Sequence, residues 1–282
     1  MRRLAMAVVG ALLFTVQAGQ AWAVPVLPIL SPGEYKFKFT DAEAFVDSSG
    51  NIVNGPVVGG HAIGVIDVTQ ILNAATNTVV WNKGDGGAFL SAVFNTPTIT
   101  SITGTAPNLN VDAGTGAFVN IYLNPSAINF GLGTTGYTTG GCSVIGGTCF
   151  NSVSNVAGGS LYLTLAFEPG IIPTDGTVGL SASFTANTNP LTGHAQAYLD
   201  VTGGSAAGLW DTNGFVTNFG DRDFFLQNDF CTLGSSPACV LNAPGFQLRS
   251  EDPTLGNIPE PGTLVLLGVG LTGLAFMRRK RA

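Results

Sequence analysis

The sequence is short of the side chains that carry most enzyme chemistry. It has two histidines, His61 and His194, four cysteines, and only 11 lysines and arginines among 282 residues. Neither histidine lies in a recognisable catalytic signature, and no serine occupies a Gly-x-Ser-x-Gly elbow. We therefore predict a protein that is not an enzyme and has no cofactor, with each histidine at a turn or a strand end.

Basic residues are scarcest between the two ends of the chain. Residues 24–258 hold five of them against sixteen acidic residues, a formal charge of −11. Binding to nucleic acid needs clustered lysine and arginine to contact phosphate, so this composition excludes nucleic acid as a partner. An acidic surface suits a soluble exported protein, contact with divalent cations, or bridging through cations to an acidic polysaccharide.

The N-terminus has the layout of a secretory signal peptide. Arg2 and Arg3 precede an apolar run at 4–16, and Ala21-Trp22-Ala23 places small residues at the alternate positions that signal peptidase reads. We predict a signal peptide at 1–23 that is cleaved after Ala23. The alternative is a retained N-terminal anchor, although the apolar run is short for a membrane span.

The C-terminus combines a proline-rich triplet, an uncharged stretch and a basic end. Pro259, Glu260 and Pro261 precede residues 262–277, and Arg278, Arg279, Lys280 and Arg281 follow. At about 1.5 Å per residue, the uncharged stretch predicts one short transmembrane helix of about 24 Å, with the basic cluster as its cytoplasmic stop-transfer signal. The alternative is an ordinary membrane anchor whose prolines begin the helix.

This order of triplet, short span and basic end resembles the PEP-CTERM sorting tail of exported Gram-negative bacterial proteins. The same segment is also catalogued as the ice-binding protein C-terminal domain. The resemblance implies that an exosortase, a membrane-bound cysteine transpeptidase, cuts near the triplet and passes the protein to the cell surface or the exopolysaccharide matrix. It covers less than a tenth of the chain and implies nothing about the fold of the remainder.

The body of the chain has the pattern of β structure. Glu34 to Phe39 alternates, with Tyr35, Phe37 and Phe39 on one face, which is typical of a half-buried strand. Further strand-like segments rich in Val, Ile, Phe and Thr lie at 62–68, 78–82, 88–94, 98–103, 117–123, 160–167, 178–186, 195–201 and 223–226. Glycine-rich turns separate them, and no long helix competes. We predict an all-β, antiparallel sandwich-like extracellular domain at 24–249, a linker at 250–258 and the sorting tail at 259–282.

The four cysteines fit an oxidising compartment. Cys142 and Cys149 are close in sequence, as are Cys231 and Cys239, and short loops cost the unfolded chain least entropy to close. We therefore predict the two local disulfides, although four cysteines formally allow three connectivities. A zinc site is the competing interpretation, but the spacings differ from those of a zinc knuckle.

Two further kinds of site are weakly indicated. Asp211 and Asn213, with Asp221 and Asp223, place oxygen ligands at alternate positions near turns, which suits calcium, but no complete calcium-binding loop is present. Acids of this region could also serve glycoside hydrolysis as a pair, either Asp221 with Asp223 or Asp200 with Asp211. Trp81 and Trp210 could stack on sugars, although core packing is the better interpretation.

Together these observations predict an exported, non-enzymatic surface or extracellular-matrix protein, structural or adhesive, as in a biofilm. Its expected partners are signal peptidase, an exosortase, the inner membrane that anchors the precursor, and exopolysaccharide. The main alternative is a secreted hydrolase of polysaccharide or protein. A minor alternative is ice binding, suggested by threonine-rich runs such as the one at 96–100.

Overall fold

The computed structural model describes residues 27–28, 30–105, 108–128, 158–186, 192–232, 248–251 and 254–258. Nearly all of its regular structure is β. The strands are β1 (Gly33–Val46), β2 (Ile52–Val53), β3 (His61–Asn73), β4 (Val79–Asn82), β5 (Phe89–Asn95), β6 (Ile99–Thr105), β7 (Asn108–Ala113), β8 (Gly116–Asn124), β9 (Ser160–Glu168), β10 (Leu180–Ala186), β11 (Thr192–Gly203), β12 (Phe215–Thr217), β13 (Gly220–Arg222), β14 (Phe224–Thr232), β15 (Leu248–Glu251) and β16 (Thr254–Ile258). One helical turn, α1 (Ala207–Trp210), follows β11, and a 3-10 turn lies at Asp85–Gly87.

Eight antiparallel positions close into a barrel. The order runs β1-β3-β5-β8-β9-β11-β14, and β15 and β16 together fill the eighth position, because each pairs with both β14 and β1. The sequence predicted an antiparallel, sandwich-like domain; the antiparallel β class is confirmed, and the sandwich arrangement is not. Alternation along a strand identifies its buried face, but it is the same in a sandwich and in a barrel.

A three-stranded ribbon branches from the barrel. The N-terminal half of β11 pairs with β10, which continues to β7 and then β6. The start of β6 returns to the barrel, because the amide of Ile99 donates to the carbonyl of Gly60 and the amide of Gly59 donates to the carbonyl of Ile99. The ribbon thus covers the barrel near the start of β3, and its buried residues join the same core cluster.

Within the segment predicted as a linker at 250–258, residues 250–251 end β15 and Thr254–Ile258 form β16. Ile258 pairs with Gly33 and Phe37 with Thr254, while Phe224 pairs with Gly256 on the other side. Ile258 is 5% exposed. Asp252 and Pro253 have the composition of a loop, which suggested a linker. The partners of β16 on β1 lie more than 200 residues earlier in the chain, so no local pattern indicates this pairing.

Most terminal and cysteine predictions lie outside the described residues. These are the signal peptide at 1–23 with Ala21 and Ala23, the helix at 262–277, the triplet Pro259 to Pro261, the basic residues 278–281, and Cys142, Cys149 and Cys239. Cys231 lies in β14 and is disulfide-bonded, but neither predicted pairing is tested by this observation. Within the described ranges, no helix has both the length and the apolar character needed to cross a membrane.

Candidate functional site: the barrel interior

The inner face of β1 carries two acids within a row of aromatic residues. Residues Tyr35, Phe37, Phe39, Asp41, Glu43 and Phe45 alternate along the strand and are all buried. Asp41 is 2% exposed and Glu43 is 8% exposed. Both residues have interaction partners, as buried acids require. The sequence contained this signal, because the alternation that predicted the strand continues in phase beyond Phe39.

Cross-strand register places Gly64 opposite Glu43 and Ile66 opposite Asp41. Glu43 pairs with Gly64, which in turn pairs with Phe94. A Cβ atom on Gly64 would lie 2.4 Å from the ring of Phe94, so the ring rests directly on the glycine backbone. The next row runs from Asp41 through Ile66 to Ala92.

A second row of small side chains crosses the opposite wall. Asn228 of β14 pairs with Ala195 of β11, which pairs with Ala182 of β10. Two residue pairs further along, Phe230 takes the space beside Gly193, where a Cβ atom would lie 2.5 Å from the ring. The aromatic rings therefore fill the rows that contain glycine, while the alanine row is left with unfilled volume.

These rows enclose a cavity of about 120 Å³. Its walls are mainly aromatic and aliphatic, and five alanines leave the space open: Ala62, Ala92, Ala113, Ala182 and Ala195. Five lining residues are polar: Asp41, Glu43, Thr96, Asn228 and Thr254. An eight-stranded barrel is just wide enough either to be filled by its own side chains or to hold one small ligand. Here the small side chains favour the second arrangement.

Asn228 presents an unsatisfied polar atom beside this space. The residue is 8% exposed, and its side-chain oxygen Oδ1 is buried without a hydrogen-bond partner in the described part of the chain. By contrast, the hydroxyl of Thr96 accepts a hydrogen bond from the amide of Ala62 at 2.8 Å. A buried acceptor without a donor costs about 1–3 kcal/mol, which a bound hydrogen-bond donor would recover.

Asp223, one of the predicted calcium ligands, binds backbone amides instead. Its Oδ1 accepts from the amides of Thr212 at 2.6 Å and Asn213 at 2.7 Å, and its Oδ2 accepts from Val201 at 2.8 Å. Asp223 is 2% exposed, whereas Asp211, Asn213 and Asp221 are exposed. The four residues are close in the fold, but the carboxylate of Asp223 serves to fix the turn after α1.

Metal binding and paired-acid catalysis gain no geometric support from this region. Among the described residues, no group of three or more His, Cys, Asp or Glu side chains could hold a metal ion. Asp200 forms an ion pair with Arg222 at 3.0 Å, and burial raises the pKa of its carboxyl although Arg222 opposes the rise. Arg222 also donates to the carbonyls of Pro169 and Phe219, so this cluster joins strands together.

Both candidate sugar-stacking tryptophans are core residues. Trp81 is 1% exposed and Trp210 is 0% exposed. The indole nitrogen of Trp210 donates to the hydroxyl of Tyr162 at 3.1 Å, and the ring of Phe37 lies edge-on at 5.0 Å. The prediction that core packing is their role is confirmed.

The two histidines occupy different environments. His61 begins β3, is partly buried, and has a pKa lowered by that burial. His194 lies on the outer face of β11, exposed to solvent, with Nε2 3.1 Å from the hydroxyl oxygen of Ser183 on β10. On the other side of His194, Asp229 is its register partner on β14. Sequence inspection missed this row, because its three members come from strands that only the fold makes adjacent.

Comparison with known protein families identifies the C-terminal end. Residues 257–281 match the family described as the PEP-CTERM protein-sorting motif. This motif implies an exported protein, processed by an exosortase and sent to the cell surface. The chain thus carries a PEP-CTERM sorting motif, as its sequence predicted, and the match begins within β16 at Asn257. Neither the comparison with curated proteins nor that with solved structures finds a match.

Proposed function

We propose that this protein is a non-enzymatic component of the cell surface or the extracellular matrix, displayed by its C-terminal sorting motif. The observation that carries the proposal is the match of residues 257–281 to the PEP-CTERM motif. The proposed route begins with signal peptidase at Ala23, continues with a precursor held in the inner membrane by residues 262–277, and ends with exosortase processing near Pro259 to Pro261.

The geometry of the domain agrees with such a role. A closed barrel has few free strand edges, because every barrel strand is paired on both sides, and this limits uncontrolled edge-to-edge aggregation. The body of the chain has a formal charge of −11. An acidic body of this kind would contact an acidic exopolysaccharide through divalent cations, which is the partner that we propose.

The test is to replace Pro259, Glu260 and Pro261 with alanine in the producing bacterium. We expect loss of C-terminal processing, measured by intact mass, and loss of surface display, measured by labelling of whole cells. The matched control makes the same replacement at three exposed threonines near the free edge of β6: Thr98, Thr100 and Thr103. It should leave C-terminal processing and surface display unchanged. Normal processing and display of the alanine variant would refute the proposed route.

The matrix role requires a separate test. A strain that lacks this gene should show altered aggregation, attachment or matrix content, and the wild-type gene should restore them. The threonine control variant should restore aggregation, attachment and matrix content as well as the wild-type gene does. If the protein instead bound ice through those threonines, this variant would lose thermal hysteresis and nothing else. A deletion strain with unchanged matrix, aggregation and attachment would count against a structural or adhesive function.

One observation favours a second candidate, a secreted hydrolase. The row of Ser183, His194 and Asp229 brings together the three residue types of a serine hydrolase, with the serine–histidine contact at 3.1 Å. Against it, His194 is exposed on a sheet face, and such chemistry depends on a site that excludes water. A fluorophosphonate probe would label Ser183 in a hydrolase and lose that labelling in His194→Ala, whereas the non-enzymatic proposal expects no labelling of either protein.

A further inference from the structure

We propose that the barrel interior binds one small, uncharged and largely apolar molecule that carries a single hydrogen-bond donor, such as an aromatic alcohol. This binding activity goes beyond surface display and does not depend on it. The ligand would lie in the cavity between the alanine row of β10 and β11 and the inner face of β1, with its donor directed to Asn228.

The size of the cavity sets the size of the ligand. Its volume is about 120 Å³. An apolar cavity of about 150 Å³ in another protein accommodates benzene, so a single small ring with at most a short substituent is the appropriate scale. Aromatic walls supply most of the contact, and the rings of Phe184 and Phe230, 4.9 Å apart, form one side of the lining.

The position of Asn228 sets the polar group of the ligand. On the β11 side of β14, its neighbours across the strands are Ala195 and then Ala182, neither of which can donate a side-chain hydrogen bond. Asn228 lines the cavity, and its Oδ1 is a buried acceptor without a donor among the described residues. A hydroxyl group on the ligand would supply that donor, whereas an ether or a hydrocarbon would not.

The two acids of β1 set the charge of the ligand. Asp41 and Glu43 both line the cavity and are at least nine-tenths buried. A carboxylate ligand would have to give up its hydration to enter beside these buried acids, and neither of them offers it a compensating positive charge. The interior therefore discriminates against anionic ligands of the same size and shape.

Three probes of similar shape separate these contributions. Binding of benzyl alcohol, ethylbenzene and benzoate to the exported protein is measured by calorimetry and by ligand-observed NMR. We expect benzyl alcohol to bind about ten-fold more tightly than ethylbenzene, because only the alcohol satisfies Asn228, and we expect no detectable binding of benzoate. This comparison uses the unaltered protein, so it does not depend on the folding of any variant.

Two matched variants then locate the site. Asn228→Leu keeps the branched shape but removes the acceptor, and should weaken benzyl alcohol about ten-fold while ethylbenzene binds at least as well as before. Gln227→Leu makes the same change one residue earlier, on the exposed face of β14, and should alter neither affinity. Ala182→Leu fills the space and should abolish binding of both probes.

Several results would overturn the proposal. These are no binding of any probe, which would mean a cavity that holds only water; benzoate binding as tightly as benzyl alcohol; or equal effects of Asn228→Leu and Gln227→Leu. The probe affinities are measured on the protein whether or not the sorting motif directs its display. A failure of this binding proposal can therefore be told apart from a failure of the proposed surface display.

Discussion

Ile258, the last described residue before the sorting triplet, is the register partner of Gly33, the first residue of the first strand. The barrel therefore begins and ends at the same pair of residues. The triplet Pro259 to Pro261 follows this pair directly in sequence. A cut within or after the triplet leaves β16 whole, whereas a cut four residues earlier would remove most of the closing strand.

The first prediction concerns this closing strand. A chain that ends at Ile258 should unfold at the same temperature as the longer chain, because all of β16 remains. A chain that ends at residue 253 loses the buried Ile258 and the pairing of β16 with β1 and β14. We expect a loss of at least about 3 kcal/mol of stability, measured by urea unfolding. Equal stability of the two truncations would show that β16 is not part of the folded barrel.

The second prediction concerns the contact between Gly64 and Phe94. Gly64→Ala would place a methyl group 2.4 Å from the Phe94 ring and 2.7 Å from the carbonyl oxygen of Ala42, and should cost about 2 kcal/mol or more. Gly203→Ala is the control, because a Cβ atom there meets nothing within 4 Å. Phe94→Leu should relieve part of the cost in a double-mutant cycle. If the stability losses of Gly64→Ala and Phe94→Leu simply added in the double variant, the two residues would not be in this close contact.

The third prediction concerns the carboxylate of Asp223. Asp223→Asn replaces one acceptor oxygen with an amide donor, which would then face a backbone amide at 2.8 Å or less. We expect destabilisation of about 2 kcal/mol, measured by chemical unfolding. The exposed Asp221→Asn should change stability by less than about 0.5 kcal/mol. If calcium binds here, its addition would stabilise the wild type and neither variant.

The fourth prediction concerns pH and the ion pair of Lys83 with Asp67 at 2.6 Å. Burial raises the pKa of Asp67, and Lys83 opposes that rise. The folded state therefore holds the Asp67 proton to higher pH than the unfolded state, so this group costs stability as pH rises through its folded pKa. Lys83→Met raises this pKa further and should increase that cost.

The measurement compares stability at two pH values. We expect Lys83→Met to cost about 2 kcal/mol at pH 7, where the Asp67 charge is left buried without its cation, and much less near pH 3.5, where Asp67 is protonated. The exposed Lys38→Met should show no such difference. An effect of Lys83→Met that is the same at both pH values would argue that packing of the lysine chain, and not the ion pair, is responsible.

The sequence predicted the strands from their local pattern more readily than it predicted their assembly. The alternation of Tyr35, Phe37 and Phe39 correctly identified the inner face of β1, and every predicted strand segment overlaps an observed strand. The alternation of apolar residues stops at Phe39 because the next two inward residues, Asp41 and Glu43, are polar. Polar side chains in phase with an apolar row indicate a few polar groups on the buried face of the strand, and they resemble a strand end when read alone.

Closure of the barrel could not be predicted in this way. β16 is five residues long, and Gly256 and Asn257 within it have no marked strand preference. Its stability comes from pairing with β1 and from the ring of Phe224, which would lie 2.4 Å from a Cβ atom on Gly256. The cavity depends on similar long-range register, since Asn228, Ala195 and Ala182 become neighbours only when three strands align. By contrast, the sorting motif is a local pattern and was predicted from its residues alone.

The shared end point of the first and last strands also determines how the molecule responds to tension. A protein held through the chain that follows Ile258 transmits any pull first to the pair with Gly33, at the end of β16. When force is applied between the chain before Gly33 and the chain after Ile258, both loads act at the same end of the antiparallel β1–β16 pair. Its hydrogen-bonded pairs then open in order from that end, from Gly33 and Ile258 toward Phe37 and Thr254.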